Sequence, residues 1–129
     1  MKIINFFIFI WQLPQHLLAM ILIGIYSIKI KHITKHEKSN VFFIEGFPAG
    51  ISLGKYIIIN FSLMSSNTVV KHEYGHSIQS KILGPLYLLI VGLPSITFNV
   101  LTRLGKLDRR TYYNRFPENW ADKLGGVKR

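Results

Sequence analysis

The chain has 129 residues, so one domain is expected, and 49% hydrophobic residues with a mean hydropathy of +0.27 are high for a small water-soluble protein. The net charge is +10, but the basic residues lie beside long apolar runs, which favours lipid headgroups over nucleic acid as their partner. Zero cysteines exclude disulfides and thiolate metal ligands.

Residues 3–28 carry no formal charge. A helix of that length spans roughly 39 Å, which is enough to cross a bilayer, so a transmembrane helix is predicted. Pro14 would kink it, and the polar side chains beside Pro14 need buried partners. His16 in particular is expected to meet a polar group of a neighbouring segment. A cleaved signal peptide is disfavoured, because the apolar region is too long and no small-x-small cleavage site follows it.

The basic segment 29–40 follows, and by the positive-inside rule it faces the cytoplasm. Residues 41–45 and 55–61 are rich in β-branched and aromatic residues and are separated by the turn-forming GFPAGISLG. They predict two short strands or a hairpin. A helix is predicted next, capped at its start by Ser66, Asn67 or Thr68 and ended by Gly84-Pro85.

Residues 85–101 form a second apolar stretch at the lower length limit for one crossing, and Gly92 and Pro94 interrupt it. Basic residues flank both ends, which favours a re-entrant hairpin or bent half-helices over a crossing. Whether this stretch spans or re-enters the membrane stays open. The tail, 102–129, is polar and basic.

The segment VVKHEYGHSIQ places His72 and His76 four residues apart with Glu73 between them. On a helix this spacing puts both imidazoles on one face, where they can bind one metal ion. Glu73 is turned about 100° around the helix, which suits a general base for water at the metal. The alternative interpretation is an amphipathic helix with a solvated polar stripe.

Catalytic zinc needs a third protein ligand, and Glu118 in FPENWADKLGG is the candidate. Pro117 predicts a helix start there. Asp122, one turn further on, could accept the free ring N–H of a ligating histidine. The alternative for Glu118 is an ordinary first-turn glutamate that interacts favourably with the helix dipole. The alternative for Asp122 is a surface carboxylate paired to Lys or Arg.

The two motifs together, His72-Glu73-x-x-His76 and Glu118-x-x-Ala121-Asp122, resemble those of the gluzincin metallopeptidases. The resemblance is strongest to their membrane branch, the CAAX-prenyl endopeptidases and heat-shock membrane proteases. It implies Zn²⁺ held by the two histidines and Glu118, with Glu73 as base and Asp122 in support. It also implies an edge strand that pairs with extended substrate, in the place of residues 55–61. The whole chain also resembles small bacterial membrane proteins with the same HEYGH and WADKLGG segments.

Two further pairs have side chains suited to chemistry. Tyr112 and Tyr113 are candidate donors to an oxyanion formed at the metal, although aromatic anchoring at a membrane interface is favoured. His32 and His36 are also four apart, but neighbouring lysines disfavour a bound cation, so headgroup contact is expected.

These elements predict a mainly α membrane protein, one domain over 1–129. It would have an N-terminal transmembrane helix, a short β-hairpin, a metal-binding helix, a broken apolar helical hairpin and a short C-terminal helix. The expected function is a membrane-bound zinc metallopeptidase. By this interpretation it lies in the bacterial inner membrane, has its site at the cytoplasmic face and acts on an extended peptide or membrane-protein substrate. The alternatives are a non-catalytic metal-stabilised membrane protein or interaction partner, and a cationic surface binder without metal.

Overall fold

The structure, a computed structural model, describes residues 2–48 and 50–129. Over these residues the chain is a mixed α/β fold, 62% helical, with a four-stranded mixed sheet. The helices are α1 (Lys2–Trp11), α2 (Leu13–Ile25), α3 (Asn67–Leu83), α4 (Leu93–Arg103), α5 (Arg109–Tyr113) and α6 (Glu118–Gly125). The strands are β1 (Ile30–His36), β2 (Ser39–Ile44), β3 (Gly50–Leu53) and β4 (Tyr56–Asn60). Short 3₁₀ turns cover Ser27–Lys29, Phe61–Leu63 and Gly84–Leu86, and a π-helical turn, Leu88–Gly92, precedes α4.

The sheet has the strand order β1-β2-β4-β3 and carries helices on both faces. On one face the fully buried Val41, Ile57 and Ile59 pack against α3. On the other face the fully buried Ile44 and Ile58 pack against α2. Because β2 and β4 are covered on both sides, their sequences are continuous apolar runs rather than alternating ones.

The predicted hairpin of residues 41–45 with 55–61 is wrong. These segments are neighbours in the sheet, as β2 and β4, but they run parallel to each other. The antiparallel pairs are instead β1 with β2 and β3 with β4. The partners lie in segments that the sequence assigned to other roles: β1 is in the basic stretch 29–40, and β3 is in GFPAGISLG. β1 is a sheet edge among the described residues, and its mostly exposed Lys and His side chains obscure the β-strand pattern.

The predicted transmembrane helix over 3–28 is also wrong. α1 and α2 are separate helices bent by 80° at Gln12, and Pro14, which has no amide hydrogen to donate, stands in the first turn of α2. In the part of the chain that the structure describes, no single helix is long and apolar enough to cross a membrane, whereas α1 and α2 meet that test only as a bent pair. The fold is therefore mixed α/β and not the mainly α membrane fold that the sequence predicted.

Hydrogen bonds to the end of α3 fix this bend. Trp11 Nε1 donates to the carbonyl of Lys81 (2.9 Å), and the buried Gln15 Nε2 donates to the Gly84 carbonyl (2.6 Å) and to Ser80 Oγ (3.0 Å). The last carbonyls of a helix have no intrahelical partner, and Trp11 satisfies one of them at Lys81. The polar residues beside Pro14 therefore attach the N-terminal helices to α3.

The second apolar stretch, 85–101, does not form the predicted broken hairpin. The π turn Leu88–Gly92 continues directly into α4, so the chain keeps one helical course past Gly92 and Pro94. Proline at position 94 cannot donate the usual backbone hydrogen bond, and a π turn is a common way for a helix to absorb such a defect.

His16 has the polar partners that its position in the apolar segment required. Its Nδ1 donates to the Phe9 carbonyl (3.1 Å), and its Nε2 accepts from the Lys55 amide in the β3–β4 turn (3.1 Å). Because an accepting Nε2 requires the neutral ring, this contact opposes protonation. Burial and the nearby Lys55 charge also lower the pKa of His16, against the raising effect of the bond to Phe9.

We expect His16→Phe to be less stable than the wild type by about 0.5–1.5 kcal/mol at pH 8, because the half-buried Lys55 amide loses its acceptor while the ring stacked on Phe9 is kept. A lowered folded-state pKa stabilises the fold above the unfolded value of 6.5 and loses that effect as pH falls below it. Urea unfolding at pH 8 and pH 5.5 should therefore show the difference shrinking at the lower pH. His32→Phe, at an exposed ring, is the control, and a pH-independent deficit for His16→Phe would contradict this account.

Candidate metal centre

Helix α3 presents His72 and His76 one turn apart, with their ring centroids separated by 4.8 Å. Of the three caps that the sequence offered, Ser66 is the one used: its Oγ accepts from the Val69 amide (3.3 Å), and the helix ends at Gly84 as predicted. Both histidines are buried, at 5% and 4% exposure. Burial of two polar rings requires partners for their nitrogens, and α6 supplies most of them.

The backbones of α3 and α6 lie in direct contact because small residues meet there. A Cβ on Gly75, between the two histidines, would stand 1.8 Å from the Ala121 carbonyl oxygen. A Cβ on Gly125 would stand 1.9 Å from the Lys71 carbonyl oxygen. No side chain fits at either position, so glycine at both places is what lets the first turn of α6 reach the histidines.

Three ligand atoms meet at this contact. Glu118 Oε2 lies 3.1 Å from His72 Nε2 and 2.8 Å from His76 Nε2, and Glu118 is fully buried. The ligand atoms of the three residues all lie within 4.8 Å of one another. The structure thus brings together the three residues that the sequence proposed as metal ligands.

The other ring nitrogen of each histidine also faces an acceptor. His72 Nδ1 lies 2.6 Å from Asp122 Oδ1, and His76 Nδ1 lies 2.7 Å from Gln79 Oε1. A neutral imidazole has only one N–H, so it cannot donate at both nitrogens. Either both neighbouring rings are protonated, or each Nδ1 keeps its hydrogen and a cation takes the place of the two protons at Nε2.

The same hydrogen bonds between the histidines and the carboxylates shift the pKa values of these groups. Burial lowers the pKa of His72, but hydrogen bonds to Asp122 and Glu118 outweigh it and raise the pKa to about 10. The pKa of His76 is raised in the same way by Glu118, against burial. Burial would raise the pKa of the Glu118 carboxyl, yet its bonds to both histidines hold that pKa well below its usual range. The pocket is therefore electrostatically suited to positive charge.

Formal charges give a simple test of the fit to a divalent cation. Glu73, Glu118 and Asp122 contribute three negative charges, and Arg129 on Asp122 contributes one positive charge, so neutral histidines leave a balance of −2. For zinc bonds of about 2.0–2.1 Å at the tetrahedral angle, ligand atoms lie roughly 3.3 Å apart. The 2.8 and 3.1 Å separations are close to this spacing. Two imidazoles and a carboxylate thus fit a divalent ion in charge, donor type and spacing.

The second oxygen of Glu118 is held by residues outside the two motifs. Tyr112 donates its hydroxyl to Glu118 Oε1 (2.8 Å), and Ser95 of α4 donates to the same oxygen (2.5 Å). These bonds aim Oε2 alone at the histidines. The structure therefore uses the Tyr112 hydroxyl to orient Glu118, whereas the sequence proposed it as a candidate oxyanion donor.

Asp122 occupies the supporting position that the sequence proposed for it. Besides His72 Nδ1, it accepts two hydrogen bonds from Arg129, at Nε (2.6 Å) and at the terminal guanidinium nitrogen (3.1 Å). The guanidinium carbon lies 3.5 Å from the Tyr113 ring centroid, and that ring packs edge-on against His72. Tyr113 thus supports the histidine through its ring.

The side chain of Glu73 extends from α3 to β3, and the residue is 8% exposed. Ser52 donates its hydroxyl to the Glu73 backbone carbonyl, and Ser52 Oγ lies 3.3 Å from Glu73 Oε1. A Cβ on Gly50 would stand 2.9 Å from Glu73 Oε2, so glycine leaves room for the carboxylate. The charge of Glu73 raises the pKa of both histidines, as expected for a carboxylate close to the ligands.

Sequence reasoning missed Ser52, Gln79, Ser95 and Arg129, since each is an ordinary polar residue whose role depends on its neighbours. Gln79 carried one signal, its place on the metal-binding face one turn after His76. The second histidine pair, His32 and His36, lies on β1 against the rings of Phe43 and Tyr74.

Comparison with protein-family models, with curated protein sequences and with solved structures finds no match for this chain.

We expect Gly75→Ala to lower both stability and metal affinity, because the added methyl group forces α6 away from α3 and withdraws Glu118 from the histidines. Gly24→Ala in α2 is the matched control, since its Cβ would meet nothing within 4 Å and alanine stabilises a helix by roughly 0.5–1 kcal/mol. Thermal unfolding with and without Zn²⁺ measures both effects. An equal zinc-induced increase in Tm for both variants would contradict the proposed contact.

Proposed function

We propose that this chain is a metal-dependent peptide hydrolase in which His72, His76 and Glu118 bind Zn²⁺ and Glu73 is the general base. The observation that supports it most is the convergence of two Nε2 atoms and one carboxylate oxygen, each oriented by a further hydrogen bond. Three protein ligands leave one position for water or substrate, as catalytic zinc sites require.

Bound zinc would lower the pKa of a water molecule and polarise the substrate carbonyl. With the metal held by His72, His76 and Glu118, Glu73 would accept a proton from the attacking water as that water adds to the carbonyl carbon. The protonated Glu73 carboxyl would then donate to the amide nitrogen as the C–N bond breaks. Ser52, in contact with Glu73 through its hydroxyl, keeps the carboxylate in place between these two steps.

The strand that the sequence proposed for substrate pairing, residues 55–61, is unavailable, because β4 lies between β2 and β3. β3 instead has β4 on one side and, within residues 2–48 and 50–129, no strand on the other. Its Ser52 contacts Glu73, so an extended peptide added to this edge would lie beside the proposed base. Because the Ser52 carbonyl already accepts from the Tyr87 hydroxyl (2.8 Å), we propose strand addition at the half-buried Gly50–Ile51 end of β3.

The alternative is a protein that binds the same metal for stability without catalysing a reaction. The ligands and their hydrogen bonds would then be needed, but the Glu73 carboxylate would not. The burial of Glu73 beside a sheet edge favours the hydrolase, because a purely structural site gains nothing from a third carboxylate that is not a ligand.

A broad apolar surface extends over α1, α2 and the helical segment that ends in α4. On α1, Ile3 is 71% and Phe7 is 64% exposed, and Trp11 at its end packs over Gly84. The surface continues on the far side of Gly84 through exposed side chains at Leu86, Leu89, Ile90, Leu93, Ile96 and Val100. Apolar patches of this extent mark an interaction surface.

We infer that lipid covers this surface and that the hydrolase works at a bilayer containing anionic lipids. Exposed basic residues follow α2 and α4, where they can meet acidic headgroups: Lys29, Lys31, Arg103, Lys106, Arg109 and Arg110. The net charge of +10 favours anionic lipid over a second copy of this equally basic chain. Substrates would then be peptide segments close to the membrane.

We expect Glu73→Gln to bind one metal ion per chain, as the wild type does. It should hydrolyse peptides roughly 10²–10⁴-fold more slowly, because a general base usually contributes a rate factor of this size. Elemental analysis and a fluorescence-quenched peptide library measure the two properties. His72→Ala should lose both, and Glu45→Gln, at an exposed carboxylate, should lose neither. A wild type that binds metal but cleaves nothing would support the structural alternative. Two histidines and a carboxylate also bind iron, so a wild type that contains iron in place of zinc would contradict the hydrolase proposal.

Replacing Phe6 and Phe7 together by glutamate should reduce binding to vesicles of phosphatidylcholine and phosphatidylglycerol by at least about tenfold, because two apolar contacts become buried charges. Ile33→Glu, at an equally exposed position on β1, should bind as the wild type does. Flotation with and without phosphatidylglycerol measures both effects. A wild type that ignores vesicles and elutes as a dimer that the double variant abolishes would show that a second copy covers the surface instead.

A further inference from the structure

Gln79 is a fully buried amide next to the metal centre that neither motif includes. It lies on α3 one turn after His76, and its carboxamide makes two hydrogen bonds to different elements. Oε1 lies 2.7 Å from His76 Nδ1, and Nε2 donates to the Pro117 carbonyl (3.0 Å). Pro117 immediately precedes Glu118, so one side chain connects the sites of two proposed ligands.

The Pro117 carbonyl fixes the orientation of this amide. A carbonyl oxygen only accepts hydrogen bonds, so the NH₂ group of Gln79 must face it and Oε1 must face His76. An amide oxygen also only accepts, so His76 Nδ1 must carry the hydrogen between them. When the ring is neutral, the Nε2 lone pair of His76 is therefore directed at the position that Glu118 Oε2 also faces.

The two histidines are thus oriented in different ways. Asp122 on α6 reaches across to His72 on α3, and it is neutralised by Arg129. Gln79 on α3 accepts from His76 on the same helix and reaches across to the backbone at the start of α6. A carboxylate in place of Gln79 would keep the bond to His76, but it would set two acceptors, its own oxygen and the Pro117 carbonyl, against each other.

We propose that Gln79 is a positioning residue for the metal: it selects the Nδ1–H tautomer of His76 and sets where Glu118 meets that ring. This inference rests on the proposed metal site but not on peptide hydrolysis. It predicts that the two ends of the amide contribute separately, one through His76 and one through Pro117. Outer hydrogen-bond partners of metal ligands commonly change metal affinity by about 10–100-fold when they are removed.

The test measures Zn²⁺ affinity by chelator competition and the visible absorption of the Co²⁺-loaded protein, which reports on ligand geometry. Gln79→Met, which keeps the side-chain length, should bind about 10–100-fold more weakly and alter the Co²⁺ spectrum. Gln79→Glu should recover part of the affinity, since it restores the acceptor for His76 but not the donor to Pro117. Should Gln79→Met fail to fold, Gln79→Asn tests the same point, because the shorter amide cannot reach both partners.

Gln15→Met is the matched control, because Gln15 is equally buried and bonds two oxygens, Ser80 Oγ and the Gly84 carbonyl, away from the metal ligands. It should lower Tm without changing the Co²⁺ spectrum or the affinity. The inference is overturned if Gln79→Met keeps wild-type affinity and spectrum, or if Gln15→Met changes both as much. Failure of the metal site itself would look different: the wild type would bind Zn²⁺ no better than His72→Ala.

Discussion

The structure depends on one contact, the backbone-to-backbone packing of α3 and α6 at Gly75 and Gly125. At this separation the first turn of α6 lies over the face of α3 that carries both histidines, and the Glu118 carboxylate reaches their Nε2 atoms. A methyl group at either glycine would collide with backbone, which cannot move aside as a flexible side chain would. The close approach of α3 and α6 that these two glycines allow therefore sets the distance between Glu118 and the histidines.

Burial of the Glu118 carboxylate explains the polar interior around it. An isolated buried carboxylate is strongly disfavoured, so each of its oxygens needs donors or a cation. Here one oxygen receives Tyr112 and Ser95, and the other faces two imidazoles. Each imidazole also faces an acceptor at its far nitrogen, so two neutral rings alone cannot donate to every acceptor around them. Protonated rings satisfy these acceptors, and so do neutral rings with a cation at their Nε2 atoms.

The N-terminal half shows how tertiary contacts redirect an apolar sequence. Residues 3–28 have the length and composition of a membrane span, but Pro14 allows a sharp bend, and Trp11 and Gln15 bind the open carbonyls at the end of α3. Similarly, residues 41–45 and 55–61 have strong strand composition, yet their parallel pairing follows from β1 and β3, whose own sequences are basic or glycine-rich. Local composition identified the central strands β2 and β4. Their parallel pairing depended on β1 and β3, which occupy the other side of each strand.

The sequence by itself determined the local features. The i, i+4 spacing on a helix sets His72 and His76 on one face, the segment Ser66–Thr68 and Gly84 bound that helix, and Pro117 marks the start of α6. Each of these follows from backbone geometry within a few residues. Only the tertiary structure decided which oxygen of Glu118 faces the rings, that Gln79 lies between His76 and Pro117, and which strand is left at the edge of the sheet. Those features are contacts between segments tens of residues apart, and a linear pattern carries no information about the distance that separates them in space.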